Sequence, residues 1–401
     1  MVGCGDVGLR PTNILVISFY LAGPSSGIVT DRICSQLHHR GHRVRVITAS
    51  CPAAPRPYDV MVASPHPMKP ARLFSAIGDA VGRDLNHVFW EERAVRLGLQ
   101  VIKSSRPDVI YARGSPGCAF TVGLRLSRVS NVPLALHFAD PIPATPDWQP
   151  SRLARRKHLR SVLPAQERAA LITIVNRQML DYQEKSSAAA RGGGEIPPER
   201  TMVLPNPVPD HFDVGPMPRG KFVFSFLGSF FGSRNPGQLI AAFRRVAARN
   251  PDAHLQICGI WPRNLDREVE SDPMLSGRVT LQGWTSDIAS SLASASCLID
   301  VDADSRDAVY TSNKLMDYLA VDRPILLISP PGSASRELVA DLKRTCLVAG
   351  HDVDDIVAAM EDAIARFWPS EDFLERRKLR QALSLRSVTA NLQARLAALT
   401  E

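Results

Sequence analysis

The sequence predicts an α/β protein of two doubly wound parallel domains, and three observations carry that prediction. Short apolar runs of strand length alternate with helical patterns along most of the chain. A proline-rich stretch interrupts the alternation near the middle. The length of 401 residues exceeds what one hydrophobic core usually serves.

The elements follow in order. Asn13-Ile-Leu-Val-Ile-Ser-Phe19 is a continuous apolar run that ends in Gly23-Pro-Ser-Ser-Gly27. Ile28, Cys34 and Leu37 then open a helical pattern closed by Gly41, and His42-Arg-Val-Arg-Val-Ile-Thr48 is the next strand. Such β-loop-α-β units stack into a parallel sheet with helices on both faces. The alternation resumes with a strand over 107–112, a helix near 118–128 and a strand over 132–137. A basic helix over 151–168, a strand over 171–175 and a helix capped by Asn176 follow. From 186 to 220 the composition turns to small residues and prolines 197, 198, 205, 207, 209, 216 and 218, which disfavour helix and central strand. Beyond it, strands at 222–227, 254–258, 279–281, 297–301, 324–328 and 346–348 alternate with helices near 236–249, 286–295, 312–320, 333–341 and 353–367. Residues 372–399 read as a terminal helix. The expected organisation is a disordered tail over 1–12, an N-terminal domain over 13–205 and a linker over 206–220. A second domain over 221–370 follows, then a C-terminal helix over 371–401 that packs back across the domains.

Gly3-Cys-Gly-Asp-Val-Gly8 matches the dinucleotide fingerprint G-x-G-x-x-G. That motif works between a strand and a helix; only Met1 and Val2 precede it, and a strand follows. Dinucleotide-dependent oxidoreduction is rejected on this context.

Seven cysteines without a C-x-x-C pair lie mostly in apolar runs, so they read as buried thiols in a reducing compartment, with neither zinc nor disulfide framework. No apolar run is long enough to span a bilayer, and the N-terminus has no basic-then-apolar signal. A cytoplasmic location is the expectation. Of the net charge of +8, residues 1–210 hold 26 Lys/Arg against 16 Asp/Glu, leaving 211–401 slightly acidic. A basic first half suits nucleic acid, an anionic membrane, a phosphorylated substrate or an ordinary arginine-rich surface. Nucleic acid is the poorest of these, because the arginines lack interleaved aromatics and a reading helix.

Tyr310-Thr-Ser-Asn-Lys-Leu-Met-Asp-Tyr-Leu319 carries the clearest chemistry. Thr311 and Ser312 can cap a helix whose free N–H groups suit a diphosphate. Lys314 adds a positive charge in the first turn and Asp317 lies about one turn deeper.

The order of these segments resembles the GT-B fold glycosyltransferases, two Rossmann-like domains facing each other across a cleft, and most closely their retaining family 4. The resemblance runs from about Asn13 to Trp368. It rests on the 23–48 loop, helix and strand, on Val203-Leu-Pro-Asn-Pro-Val-Pro-Asp-His-Phe212, on Phe226-Leu-Gly-Ser-Phe-Phe-Gly-Ser-Arg-Asn-Pro-Gly237, and on the 310–328 segment. It implies a transferase that moves a hexose-type sugar from a nucleotide diphosphate donor to a saccharide, lipid-linked or small-molecule acceptor with retention of configuration. It implies further that the domain over 13–205 binds the acceptor and the domain over 221–370 the nucleotide-sugar donor, and no metal or other cofactor is expected.

The resemblance also implies the site. Arg234, in the loop after Gly228 and Ser229, takes the place of a cation that neutralises the diphosphate, where a guanidinium can hold two oxygens. The family's usual arginine directly after the glycine falls on Ser229, and Lys314 is the candidate replacement. The amides around Ser312, Asn313 and Lys314 would hold the diphosphate, and Asp317 would accept from ribose hydroxyls. The family's first glutamate, eight residues before Asp317, falls on Val309, which weakens the sugar contacts and fits a Ser-x-Lys variant of polysaccharide-assembly enzymes. Backbone groups near Gly283, Trp284 and Thr285 would meet the base; Trp284 either stacks on it or covers the core. Gly23 and Gly27 would let amides approach the leaving group. His137 and Asp140, at the end of a strand, would contact the donor sugar and orient the acceptor or donor, although a strand-end histidine alone reads as structural. Arg152, Arg155, Arg156, Lys157 and Arg160, with interleaved leucines, form either a face for an anionic membrane or a solvated surface. Rival readings are a GT-B epimerase, an inverting transferase, and an inactive sugar-nucleotide-binding partner subunit, for which Ser229 and Val309 argue.

Overall fold

The computed structural model describes residues 10–400 apart from 24, 66–73, 75–76, 79–84, 150, 192–195, 211, 213 and 286. The Gly3–Gly8 fingerprint, Cys4 and most of the expected 1–12 tail lie outside these. Two compact units divide the chain: Met1–Pro207 with Leu385–Glu401, and Val208–Ser384.

The first unit is a seven-stranded parallel sheet. Its elements are β1 (Asn13–Ser18), α1 (Ser25–His39), β2 (Arg43–Thr48), β3 (Asp59–Val62), α2 (Val88–Ser104), β4 (Val109–Gly114) and α3 (Cys118–Ser130). β5 (Leu134–Phe138), α4 (Arg152–Arg168), β6 (Leu171–Ile174), α5 (Arg177–Arg191) and β7 (Thr201–Val203) complete the run before residue 207. The strand order is β3-β2-β1-β4-β5-β6-β7. Every residue of β4, β5 and β6 is buried, as expected of parallel strands covered on both faces. β3 and β7 went unread because each is a short, partly exposed edge strand. α2 was also missed, although Trp90, Ala94, Gly98 and Val101 bury one of its faces at helical spacing.

The second unit is a six-stranded parallel sheet in the order β10-β9-β8-β11-β12-β13. It runs β8 (Phe222–Ser229), α6 (Gly237–Arg249), β9 (Ala253–Ile260), α7 (Asn264–Ser271), β10 (Val279–Gln282), α8 (Ile288–Ala293) and β11 (Cys297–Val301). α9 (Asn313–Leu319), β12 (Ile325–Ile328), α10 (Ala334–Leu338), β13 (Cys346–Ala349), α11 (Val353–Ala365) and α12 (Leu374–Ala382) follow. The Pro-rich segment is more than a connection. Val208 is buried in this unit's core, with Phe212 and Val214 packed against it. Arg323 donates to the carbonyls of Val214 at 3.1 Å, Gly215 at 3.2 Å and Pro216 at 3.0 Å.

Residues 372–399 are not one helix. The pattern breaks at Leu383 and Ser384, where Val208 N–H donates to the Leu383 carbonyl at 2.9 Å and Val208 forms a bridge with Ser384. α12 stays in the second unit, anchored by the buried Arg376, which donates to the carbonyls of Val321, Arg323 and Thr345. α13 (Leu385–Ala397) belongs to the first, where Val388, Leu392 and Leu396 share a core with Ile33 and Leu37 of α1. Cys34, Cys118, Cys258, Cys297 and Cys346 are buried thiols, whereas Cys51 is exposed.

In each sheet the winding reverses once, between β1 and β4 and between β8 and β11. Ligands of doubly wound sheets bind outside the carboxyl ends of the strands at such points.

Candidate active site

In the second unit the reversal point gathers most of the phosphate-binding candidates. Gly228 is the penultimate residue of β8, and its φ of +142° is open to glycine. A Cβ there would lie 2.5 Å from Cδ of Lys314, so the missing side chain is the space through which the lysine passes. Beside it Gly259, the penultimate residue of β9, lies at φ +140°, and a Cβ there would lie 1.8 Å from the Gly228 carbonyl oxygen. The two glycines are partners in register, so both strand ends approach closely.

Ser312 caps α9: its backbone is extended, and its Oγ accepts from Leu315 N–H at 3.2 Å. The same hydroxyl donates to Oδ2 of Asp300. Oδ1 of Asp300 lies 3.2 Å from Nζ of Lys314. Asp300 is fully buried on β11, so one carboxylate holds both the cap and the lysine. Nζ of Lys314 also sits 5.4 Å from the ring centre of Phe226. Burial lowers the Lys314 pKa and the neighbouring Arg234 charge adds to this, while Asp300 opposes them. The lysine thus feels a second positive charge while a buried carboxylate holds it, an arrangement that favours an incoming anion.

Arg234 rests in the loop before α6, its guanidinium carbon 5.9 Å from the ring centre of Phe231 and its Nε buried without a partner. Asn235 starts α6 by accepting from Gly237 N–H at 2.8 Å. Asp302, two residues beyond Asp300 on the same face, accepts from Ser329 Oγ at 2.7 Å. Burial and then the charge of Asp300 push its carboxyl up to about 6. Asp317 is half-buried one turn into α9, and its neighbour Tyr318 accepts from Leu227 N–H at 2.9 Å, tying α9 to β8. Ser229 is half-buried and Val309 buried, so neither adds charge.

After β10, Gly283 and Trp284 are exposed, and Thr285 accepts from Asp287 N–H at 3.0 Å. Trp284 is 78% exposed, so it does not cover the core.

In the first unit His137 is buried at the end of β5, with Nδ1 2.9 Å from Thr173 Oγ1 and Nε2 without a partner. Burial, then the charge of Arg113, holds its pKa well below the ordinary value, so the ring is neutral. Burial raises the carboxyl of Asp140, against a hydrogen bond from Ser115. Gly27 is buried in α1, where a Cβ would lie 3.1 Å from Tyr20 Cβ, whereas Gly23 turns the preceding loop at φ +104°. On α4, Arg152, Leu153, Arg156 and Arg160 are exposed, Arg155 donates to Tyr182 at 3.1 Å, and Lys157 is buried.

Sequence reasoning missed Asp300, Asp302, Gly259 and Arg113. The two aspartates had a visible signal, acids inside the otherwise apolar run Cys297-Leu-Ile-Asp-Val-Asp302.

Comparison with known proteins defines the class. The second unit matches the family described as glycosyl transferases group 1 over residues 221–366, and the first matches the glycosyl transferase 4-like domain over residues 26–207. The chain belongs to the GT-B glycosyltransferases. No curated protein sequence matches it. Among solved structures it is similar to HepE of Anabaena in complex with UDP-glucose, with a TM-score of 0.69 at 15% identity over 96% of this chain and 100% of that one. A glycosyltransferase from Rickettsia africae gives 0.69 at 11% identity over 98% and 99%. WaaG, a glycosyltransferase involved in lipopolysaccharide biosynthesis, gives 0.60 at 14% identity over 94% and 98%. At these identities the likeness is one of fold.

Proposed function

We propose that the protein transfers a hexose-type sugar from a nucleotide diphosphate donor, with retention of configuration in the manner of family 4, and without a metal ion or other resident cofactor. The observation that carries this reading is the meeting of Lys314 and Arg234 at the β8–β11 reversal, with Gly228 reduced to backbone so that the lysine can pass. As the sugar–oxygen bond breaks, negative charge grows on the leaving diphosphate. Cations already in place stabilise that charge without reorganising. Arg234 would hold two phosphate oxygens, Lys314 a third, and the amides of Asn313 and Lys314, which open α9, would complete the cradle. Asp317 would accept from the ribose, and the Gly283–Thr285 backbone would meet the base. His137 and Asp140 would contact sugar and acceptor from the first unit, with Gly23 and Gly27 giving amides access to the leaving group. UDP is the first nucleotide to try, because HepE, similar in fold, has been crystallised with it.

The test is calorimetric titration with UDP, followed by turnover of UDP-sugars and NMR of the product. Arg234→Ala and Lys314→Ala are each expected to weaken UDP by about tenfold or more, the loss of a charge-assisted hydrogen bond. Unchanged affinity in both variants would remove the phosphate site. An epimerised free nucleotide sugar or an inverted linkage would overturn retention, and tight UDP binding with no turnover across saccharide acceptors would favour a binding subunit.

The exposed row Arg152, Arg156 and Arg160 on α4, with Leu153 61% exposed beside it, supports peripheral contact with an anionic membrane where a lipid-linked acceptor would reside. Among the described residues no helix is long and apolar enough to cross a membrane. Flotation with phosphatidylglycerol vesicles, lost in an Arg152→Glu/Arg156→Glu/Arg160→Glu variant, is the expected result; no flotation of the wild type would refute the contact.

A further inference from the structure

Arg113 stands at the reversal point of the first sheet, in register with Ser18 of β1 and His137 of β5. Its side chain is nearly sealed, at 3% exposure for the residue. Its partners are all uncharged. Nε donates to Thr30 Oγ1 at 3.0 Å and Nη1 to Tyr111 Oη at 2.8 Å. Among the described residues Nη2 has no partner, and no carboxylate pairs with the guanidinium. The acid on α1, Asp31, is held by Arg56 at 2.9 Å and Tyr58 at 2.5 Å.

Two other buried arginines are satisfied differently. Arg323 and Arg376 are wrapped by main-chain carbonyls, six of them around Arg323 and three around Arg376. Those are structural clamps. Arg113 instead leans on two hydroxyls that have duties of their own. Thr30 donates to Ser26 O at 2.8 Å, and Tyr111 is hydrogen-bonded to Thr173, which donates to Leu136 O at 3.1 Å. Because Thr173 gives its proton to Leu136, its oxygen accepts from His137 Nδ1, which assigns the histidine proton to Nδ1 and leaves Nε2 as a bare, buried acceptor. A buried cation without a counter-ion and a buried acceptor without a donor are both costly, and both lie at the ligand end of one sheet.

We propose that the first unit binds an anionic group, a phosphate or carboxylate carried by the acceptor, at the ends of β1, β4 and β5, with Arg113 as its counter-charge and His137 Nε2 receiving a neighbouring hydroxyl. This rests on the reading of the first unit as the acceptor domain. An oxyanion supplies what the protein leaves out, since the free edge of the guanidinium is a fork for two oxygens. α1 begins beside it, because Thr30 links Arg113 to Ser26 in the first turn, and the positive end of that helix adds to the same field. The excess of basic residues in the first half of the chain draws such an acceptor in.

The probe is inorganic phosphate, titrated by calorimetry into full-length protein carrying Arg234→Ala and Lys314→Ala, so that the donor cations do not contribute. Phosphate is expected to bind this double variant, and adding Arg113→Gln to weaken it by at least about tenfold, as the loss of a charge-assisted contact implies. UDP binding to otherwise wild-type protein is expected to be unchanged by Arg113→Gln within about twofold. Absence of phosphate binding in the double variant overturns the proposal without any change at Arg113. Phosphate binding indifferent to Arg113→Gln also overturns it, and loss of UDP binding in Arg113→Gln reassigns the anion to the donor's diphosphate. Wild-type protein that takes phosphate through Arg113 but no nucleotide would leave this site standing while removing the proposed donor.

Discussion

Replacing Lys314 with Met keeps the aliphatic stem that crosses Gly228 and Phe226 and removes only the charge. Two consequences follow from the geometry. Asp300 is fully buried and its Oδ1 loses a cation at 3.2 Å, leaving the carboxylate with the Ser312 hydroxyl alone. At an effective dielectric of about 20, unit charges about 4 Å apart attract by about 4 kcal/mol, and removing one member of a buried pair costs about 3–5 kcal/mol. The lower end applies, because Lys314 keeps 16% side-chain exposure and water can reach the vacated end. Lys314→Met is therefore expected to lose about 3 kcal/mol in urea unfolding followed by circular dichroism. Adding Asp300→Asn removes the orphaned charge while leaving an acceptor for Ser312, so the double variant should recover most of that loss. Affinity for UDP should behave otherwise. It should fall by about tenfold to a hundredfold in Lys314→Met, as the loss of about 2 kcal/mol of charge-assisted bonding implies, and should not return in the double variant. A Lys314→Met protein as stable as wild type, or a double variant less stable than the single, would refute the account of Asp300 as the counter-ion of the lysine.

Asp302 gives a pH dependence with a defined sign. Its carboxyl pKa is raised from 3.8 to about 6 in the folded protein, so the folded state binds more protons than the unfolded; its contribution is fully present below about 4 and is lost as pH rises through about 6. Asp302→Asn should gain on wild type by about 2–3 kcal/mol between pH 4 and pH 7.5 in chemical unfolding, and a pH-independent difference would contradict the raised pKa. Gly259→Ala places a methyl against the Gly228 carbonyl in a backbone region closed to alanine, so a loss of at least about 2 kcal/mol is expected from strain alone. An unchanged urea midpoint would show that the two strand ends do not approach as closely as described.

The parallel core was readable because strands covered on both faces are written as unbroken apolar runs, such as Leu134-Ala-Leu-His-Phe138 and Ile325-Leu-Leu-Ile328. The edge strands β3 and β7 were not, since three or four half-exposed residues carry no period long enough to separate them from loop. Lys314 could be picked out because turn residues around it mark where a helix begins, and Arg234 because the resemblance to family 4 implies a cation in its loop. Gly259 could not, because its need for a bare backbone is imposed by the Gly228 carbonyl on the neighbouring strand, a constraint of register. Arg376 shows the same limit from the other side. In Leu374-Glu-Arg-Arg-Lys-Leu-Arg380 it looks like one of several solvated charges, and only the three carbonyls left open by distant loops explain why that one is buried. Arg113 was hidden likewise among the residues of a strand.

The placement of α13 bears on how the chain is made. The second unit is one uninterrupted segment and is complete once Ser384 has been synthesised. The first unit, though begun earlier, still lacks Val388, Leu392 and Leu396, so the apolar face of α1 around Ile33 and Leu37 stays unsealed until that later segment has been made. Chains usually complete their domains from the N-terminus as they emerge. Here the order of closure runs in reverse, and a nascent chain stalled near residue 384 would expose a sticky groove on its oldest part while its newest part is already finished.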